Sequence, residues 1–186
     1  MIPLVLYHAN CWDGFCAAWI ARKALGDCDF YPAYYGQSPP DVTGRVVYML
    51  DFSYPRDVMD KLLTAARRTV VLDHHKTAME ALDGFHQPET GIDVIFDMDK
   101  SGGRLAWLWF TTMGHNIGSP DQPKAPWLVD YTEDRDLWRH ALPYTEEINA
   151  ALRSYPLDFD LWDEFNDSMG QREMFKREGA AIRRAE

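Results

Sequence analysis

Three apolar runs of this chain each close on side chains that can ligate a metal. Leu4-Val5-Leu6-Tyr7-His8 ends in an imidazole, Val46-Val47-Tyr48-Met49-Leu50-Asp51 in a carboxylate, and Val70-Val71-Leu72-Asp73-His74-His75 in a carboxylate followed by two imidazoles. A further carboxylate stands in His8-Ala9-Asn10-Cys11-Trp12-Asp13-Gly14, where Gly14 lets the backbone come close to a bound ion or phosphate. Each piece has an ordinary structural reading: Asp13 as a helix cap, His8 as a hydrogen-bonded core residue, Asp51 as a cap for the helix near Pro55, and His74-His75 as a solvated turn. A carboxylate closing an apolar run at Asp51, however, would cost several kcal/mol on the usual scales if buried unpaired. Three such endings in one chain point to a shared metal site.

Those side chains need a sheet to bring them together. Short β-branched runs bounded by loops read as buried parallel strands, and open α/β sheets bind ligands where their strands end. A helix is expected from about Gly14 to Leu25, stopped by Gly26. After the loop at Pro39-Pro40 and the strand ending at Asp51, proline at 55 suits the first turn of a helix on which Val58, Leu62 and Ala66 recur. A short helix around Thr77–Leu82, a strand Ile92–Phe96 and a helix Arg104–Met113 continue the alternation. The economical fold is α/β: a doubly wound, mostly parallel sheet flanked by helices, with a helical C-terminal tail. A Pro-rich polar loop over 114–126 leads to helical stretches at Leu128–Trp138, Glu146–Arg153, Phe159–Phe165 and Glu173–Arg184. The division expected is 1–156 as the site-bearing domain and 157–186 as a helical tail, the start of a linker to a further domain.

Composition narrows the function. The 186 residues are 46% apolar with 7 Trp, enough for one substantial core. With 19 Lys and Arg against 29 Asp and Glu the formal charge is -10, which disfavours a platform for long nucleic acid. It leaves room for a small phosphate substrate, because cations held by carboxylates invert the local field. The 3 cysteines, Cys11, Cys16 and Cys28, lack CxxC spacing, so neither a disulfide framework nor a zinc knuckle is expected. With no basic-then-apolar leader at Met1–Leu6 and no long apolar stretch, cytoplasmic placement without membrane contact is expected.

With these motifs in hand, the chain resembles the DHH phosphoesterases. Asp73-His74-His75 matches the motif that names that family, His8 to Gly14 its first motif, Asp51 its second, and Asp134 within Glu133-Asp134-Arg135-Asp136-Leu137-Trp138 its fourth. Ser101-Gly102-Gly103-Arg104-Leu105-Ala106-Trp107 looks like the exopolyphosphatase-like and oligoribonuclease branch. The likeness runs from about Tyr7 to Trp138. Taken alone, the segment at 133–138 reads as a salt-bridged surface face.

The resemblance implies a hydrolase with two divalent ions, most often manganese. One ion would lie near His8 and Asp51, the other near Asp13, Asp51, His74 and Asp134, with Asp51 bridging. His75 would contact the scissile phosphate, and Asp73 would orient its neighbours; Asp51, His74 and His75 would carry the catalysis. Mixed imidazole and carboxylate ligands suit manganese better than an all-oxygen magnesium site. Short oligonucleotides lead as substrates, with Trp12 able to stack on a base although it reads first as a core or lid residue. Pyrophosphate, polyphosphate and cyclic nucleotides stay open, as do a homodimer and a non-catalytic phosphate-binding module. Lys100, Arg104, Arg135 and the Ser101-Gly102 helix start could hold phosphates but read first as surface cations and an ordinary cap. Two features depart from the family. Cys11, read here as a small packing residue rather than a ligand, stands where many members carry an aspartate, and the glycine-rich, histidine-bearing substrate motif of a second domain is not among these residues.

Overall fold

The structure is a computed structural model and describes residues 2–117 and 124–185. Five strands form one parallel sheet: β1 (Leu4–His8), β2 (Asp29–Ala33), β3 (Val46–Leu50), β4 (Arg68–Asp73) and β5 (Ile92–Phe96), in the order β2-β1-β3-β4-β5. The chain winds outward from β1 to β2, returns to β3, and then proceeds the other way through β4 and β5. Neighbouring connections therefore leave the sheet in opposite directions between β1 and β3, which opens a crevice at the strand ends.

Register decides what faces that crevice. Tyr7 pairs with Leu50, and Leu50 with Leu72, so the residues that follow, His8, Asp51 and Asp73, emerge together at one edge of the sheet. The apolar runs that carry them are buried because helices cover both faces. On one face, α1 (Trp12–Leu25) and α4 (Gly102–Thr112) pack over Val5, Leu50, Val70 and Leu72; on the other, Met59 and Leu62 of α2 (Arg56–Ala65) join Leu6, Met49 and Val71.

The expected doubly wound α/β sheet is what forms. Strand β2 was not legible, because Pro32 sits inside it; as an edge strand bonded only to β1, it tolerates the missing donor. In α2 the buried face is Met59 and Leu62, not Val58, Leu62 and Ala66: Val58 is half-buried, and Ala66 leaves the helix with extended geometry. Helix α3 (Lys76–Ala81) is short and buries none of its residues. Residues 118–123 of the loop expected over 114–126 lie outside the described residues.

The C-terminal helices α5 (Trp127–Asp136), α6 (Thr145–Ser154), α7 (Phe159–Asp167) and α8 (Gln171–Ala185) join the main core rather than trailing away: α5 packs on α1 and α4, α6 on α5, and α8 on α6. Trp162 of α7 is fully buried against Phe15 and Trp19, and Asp163 accepts from Trp19 Nε1 at 2.8 Å. Phe175 of α8 stacks on Tyr155, and a Cβ on Gly179 would fall 1.7 Å from the carbonyl oxygen of Glu147, so α8 crosses α6 with backbones nearly touching. Residues 157–185 thus share the core of the sheet-bearing body through Trp162, Phe165 and Phe175. Among the described residues no helix is long and apolar enough to cross a membrane.

Candidate metal centre

Asp51 lies at the middle of the crevice. It follows the last residue of β3 with φ of 55°, a left-handed conformation that aspartate tolerates better than most residues, and its backbone NH still donates to the Leu72 carbonyl. This turns a fully buried carboxylate into the gap between β1 and β4. Its Oδ1 lies 3.0 Å from His74 Nε2, and its Oδ2 lies 3.5 Å from His8 Nδ1 and 3.4 Å from Cys11 Sγ.

Asp13 comes from the first turn of α1 and faces the start of α4. Its two oxygens accept from the backbone NH groups of Gly102 at 2.5 Å and Gly103 at 2.9 Å, so a helix N-terminus fixes its orientation. The approach requires two glycines. A Cβ on Gly102 would lie 2.5 Å from the Cβ of Asp51, and one on Gly103 would lie 2.7 Å from Cys16 Sγ. Gly14 plays the matching part at β1, where a Cβ would meet the His8 carbonyl oxygen at 2.4 Å.

Asp73 organises the two histidines without facing the crevice. Its Oδ1 accepts from the His74 NH at 2.7 Å, the His75 NH at 3.2 Å and His75 Nδ1 at 2.6 Å, and its Oδ2 from Ser53 Oγ at 2.6 Å. With three donors on Oδ1 and one on Oδ2, Asp73 serves as an orienting group.

Two sets of ligand atoms result. Asp13, Asp51 and His74 each offer an atom within 4.8 Å of the others, and so do His8, Asp51 and His75. Asp51 belongs to both. His75 thereby stands with His8 at one end of Asp51.

Asp134 does not join them, and the expectation of a ligand there is corrected. Its carboxylate accepts from the NH groups of Ala141 at 2.9 Å and Leu142 at 3.1 Å and from the Thr145 hydroxyl, which holds its acid strength above that of a free aspartate despite burial. Asp136, two residues on, faces the crevice instead: its Oδ2 is 3.6 Å from His74 Nε2, as is Asp13 Oδ2. Residues two apart on a helix point about 200° away from each other, so one faces the crevice and the other the loop. Thr132, one turn before Asp136, lines the same cleft.

The electrostatics carry an imbalance. Burial pushes the Asp13 carboxyl well above its ordinary value, and the charges of Asp51 and Asp136 push it further; Asp136 is raised by burial and by Asp51. Asp51 resists burial because the imidazoles beside it, His74 at 3.0 Å and His8 at 3.5 Å, hold it down to about 2. His74, though disfavoured as a cation by burial, is drawn up to about 9 by Asp51, then by Asp13 and Asp136. His8 Nδ1 is buried without a properly formed hydrogen bond. Three carboxylates converging on one point, beside an unpartnered imidazole nitrogen, form an environment suited to divalent cations.

Other residues singled out in the sequence have different duties. Arg104 ties α4 to α5 through Glu133 at 2.9 Å and Asp130 at 2.5 Å, and Lys100 pairs with Asp97 at 2.5 Å. Ser101 caps α4 by accepting from the Arg104 NH at 3.2 Å. Cys11 is neither inert packing nor a thiolate: burial and the Asp51 charge raise its pKa, so it stays a thiol that donates to Asp51. Trp12 is partly buried, with the Arg153 guanidinium over its ring.

No family model matches the chain. It is 29% identical over 181 residues to uncharacterized protein R106 of Acanthamoeba polyphaga mimivirus, covering 88% of this chain and 40% of the viral protein. Its fold is shared with a crystal structure of an uncharacterized protein from Helicobacter pylori G27, at a TM-score of 0.65 and 16% identity over 99% of this chain and 56% of that one. The chain spans about half or less of the length of each.

Proposed function

We propose that this chain is a metal-dependent phosphohydrolase that uses two divalent cations, manganese in the first instance, to hydrolyse a phosphodiester or phosphoanhydride. The observation that carries the reading is the position of Asp51 in both ligand groups, Asp13–Asp51–His74 and His8–Asp51–His75. The motif order shared with the DHH phosphoesterases supports the same reading. Asp136 supplements the first group. Cations held there would acidify an attacking water and draw charge from the phosphate oxygens.

The side chains have separable tasks. Asp51 and His74 fix the position of the site, Asp13 keeps a carboxylate aimed into it through the α4 backbone, and His75 presents its free ring nitrogen to a phosphate oxygen while Asp73 holds the other. The three free cysteines fit a reducing compartment such as the cytoplasm.

The test is hydrolysis by purified protein, with manganese or with chelator, of a dinucleotide, a cyclic dinucleotide, pyrophosphate and polyphosphate. Turnover of at least one substrate should require metal and should vanish in Asp51→Asn and His74→Ala. Activity that survives both substitutions overturns the reading, and nucleotide affinity without turnover marks a binding module instead.

A further inference from the structure

At the end of Asp51 where His8 and His75 meet, one aromatic side chain borders the crevice and belongs to neither ligand group. Tyr35 follows β2 and is 59% exposed, yet its ring lies edge-on to His8, with centroids 5.3 Å apart, and 4.9 Å from the ring of the fully buried Phe52. We infer that Tyr35 is a further catalytic residue: on the proposed hydrolase reading, on which this rests, its phenol hydroxyl donates to an oxygen of the phosphate that His75 also contacts.

The backbone holds the ring in that place. The Gln37 NH donates to the Tyr34 carbonyl at 3.1 Å, closing a turn around Tyr35 and Gly36, and Gly36 supplies the φ of 83° that the turn requires. The Gln37 side chain fastens the same turn, its Oε1 accepting from the Tyr34 NH at 3.3 Å. Ala33 anchors the start. It pairs with His8 in the parallel register, and its carbonyl accepts from the Ala9 NH at 3.0 Å. The turn that carries Tyr35 is therefore tied to the strand end that presents His8.

The hydroxyl is placed to serve a ligand. Tyr31, Tyr131 and Tyr155 donate theirs to the Ser38 carbonyl, the Pro143 carbonyl and the Glu178 carboxylate. Among the described residues the Tyr35 hydroxyl has no such partner. Partial burial, then the charges of Asp73 and Asp51, raise its pKa to about 12, so the group sits within the field of the crevice carboxylates and keeps its proton. A neutral donor suits this end of the site. It can bond a phosphate oxygen as charge builds there, whereas a lysine or arginine would compete with a divalent cation for Asp51.

Tyr35→Phe keeps the ring against His8 and Phe52 and removes only the oxygen. Calorimetric titration of the manganese-loaded protein with inorganic phosphate reads the contact without turnover: Tyr35→Phe should weaken binding about ten-fold or more, as expected for one hydrogen bond to a charged group. In hydrolysis, kcat should fall about 100-fold, the scale of one lost donor to a developing oxyanion. Manganese uptake and the urea unfolding midpoint should stay unchanged in the same variant. Phosphate affinity equal in Tyr35→Phe and the unaltered protein overturns the inference and leaves metal-dependent hydrolysis standing. Manganese uptake that weakens in Tyr35→Phe also overturns it, because Tyr35 would then act by supporting His8. Phosphate binding that needs the hydroxyl, in a protein that hydrolyses none of the four substrates, overturns the hydrolase reading and keeps the phosphate contact.

Discussion

Without metal, the protein should lose stability as the solution turns alkaline, and the His74–Asp51 pair sets the scale. His74 Nε2 donates to Asp51 Oδ1 at 3.0 Å, and its pKa rises from 6.5 to about 9. A folded value above the unfolded one means that the contribution is fully present below pH 6.5 and lost as pH climbs through about 9. Raising the imidazole from 6.5 to about 9 corresponds to about 3 kcal/mol. That is a large share of the 5–15 kcal/mol (roughly) that holds a domain folded. The shift of Asp51, from 3.8 to about 2, is smaller because its complete burial opposes the pull of His74 and His8. Asp13 and Asp136 tilt the same way at lower pH: folding favours their protonated forms, so ionising them above 3.8 also costs stability. The assay is urea unfolding in chelator, followed by tryptophan fluorescence at about pH 6 and about pH 9. Asn is the replacement of choice at 51 because it tolerates the left-handed backbone there. Asp51→Asn should flatten most of the difference between the two pH values. Manganese should flatten it too, because metal ligation takes a neutral imidazole and replaces the proton. A metal-free midpoint that is equal at both pH values, or an undiminished drop in Asp51→Asn, refutes the reasoning.

Two substitutions probe the walls of the site. Gly102→Ala should destabilise the protein by about 1–3 kcal/mol and weaken manganese binding, since the new Cβ overlaps the Cβ of Asp51 at 2.5 Å; an unchanged unfolding midpoint would show that α4 can withdraw freely. Asp134→Ala should cost about 2–3 kcal/mol of stability by stranding the donors of Ala141, Leu142 and Thr145, whereas Asp136→Ala should spare stability and lower manganese affinity; the reverse pattern in paired unfolding and metal titrations would restore Asp134 as a ligand.

The sheet was legible because its inner strands obey one constraint each. Val46–Leu50 and Arg68–Asp73 are buried on both faces by helices, so their sequences are nearly continuous apolar runs, and the register that aligns Leu50 with Leu72 places the polar residues after them at one level. Edge strand β2 escapes that constraint: it has one partner, half-exposed side chains and a proline, and so carries none of the signals of a buried strand. The C-terminal helices were legible as helices but not as parts of one core. Their apolar stripes specify that something covers them; only the structure shows that Trp162 meets Trp19 and that Gly179 lets α8 lie against α6.

The same distinction runs through the site. His8 closes a strand and Asp51, His74 and His75 follow strands, where neighbouring parallel strands in register leave little freedom in where the next residue emerges, and their convergence could be anticipated from the apolar runs alone. Asp134 and Asp136 lie on a helix that arrives from elsewhere in the chain, and there the choice of ligand depends on the rotation of α5 about its own axis. That rotation is set by Leu128, Val129 and Tyr131 packing into the core, and by the loop that Asp134 must fasten behind it. An acidic motif on such a helix therefore identifies the segment that approaches the crevice before it identifies the carboxylate that enters. Once Asp134 is committed to the loop, the same turn of helix points Asp136 at His74 and sets Trp138 at the rim of the adjoining cleft.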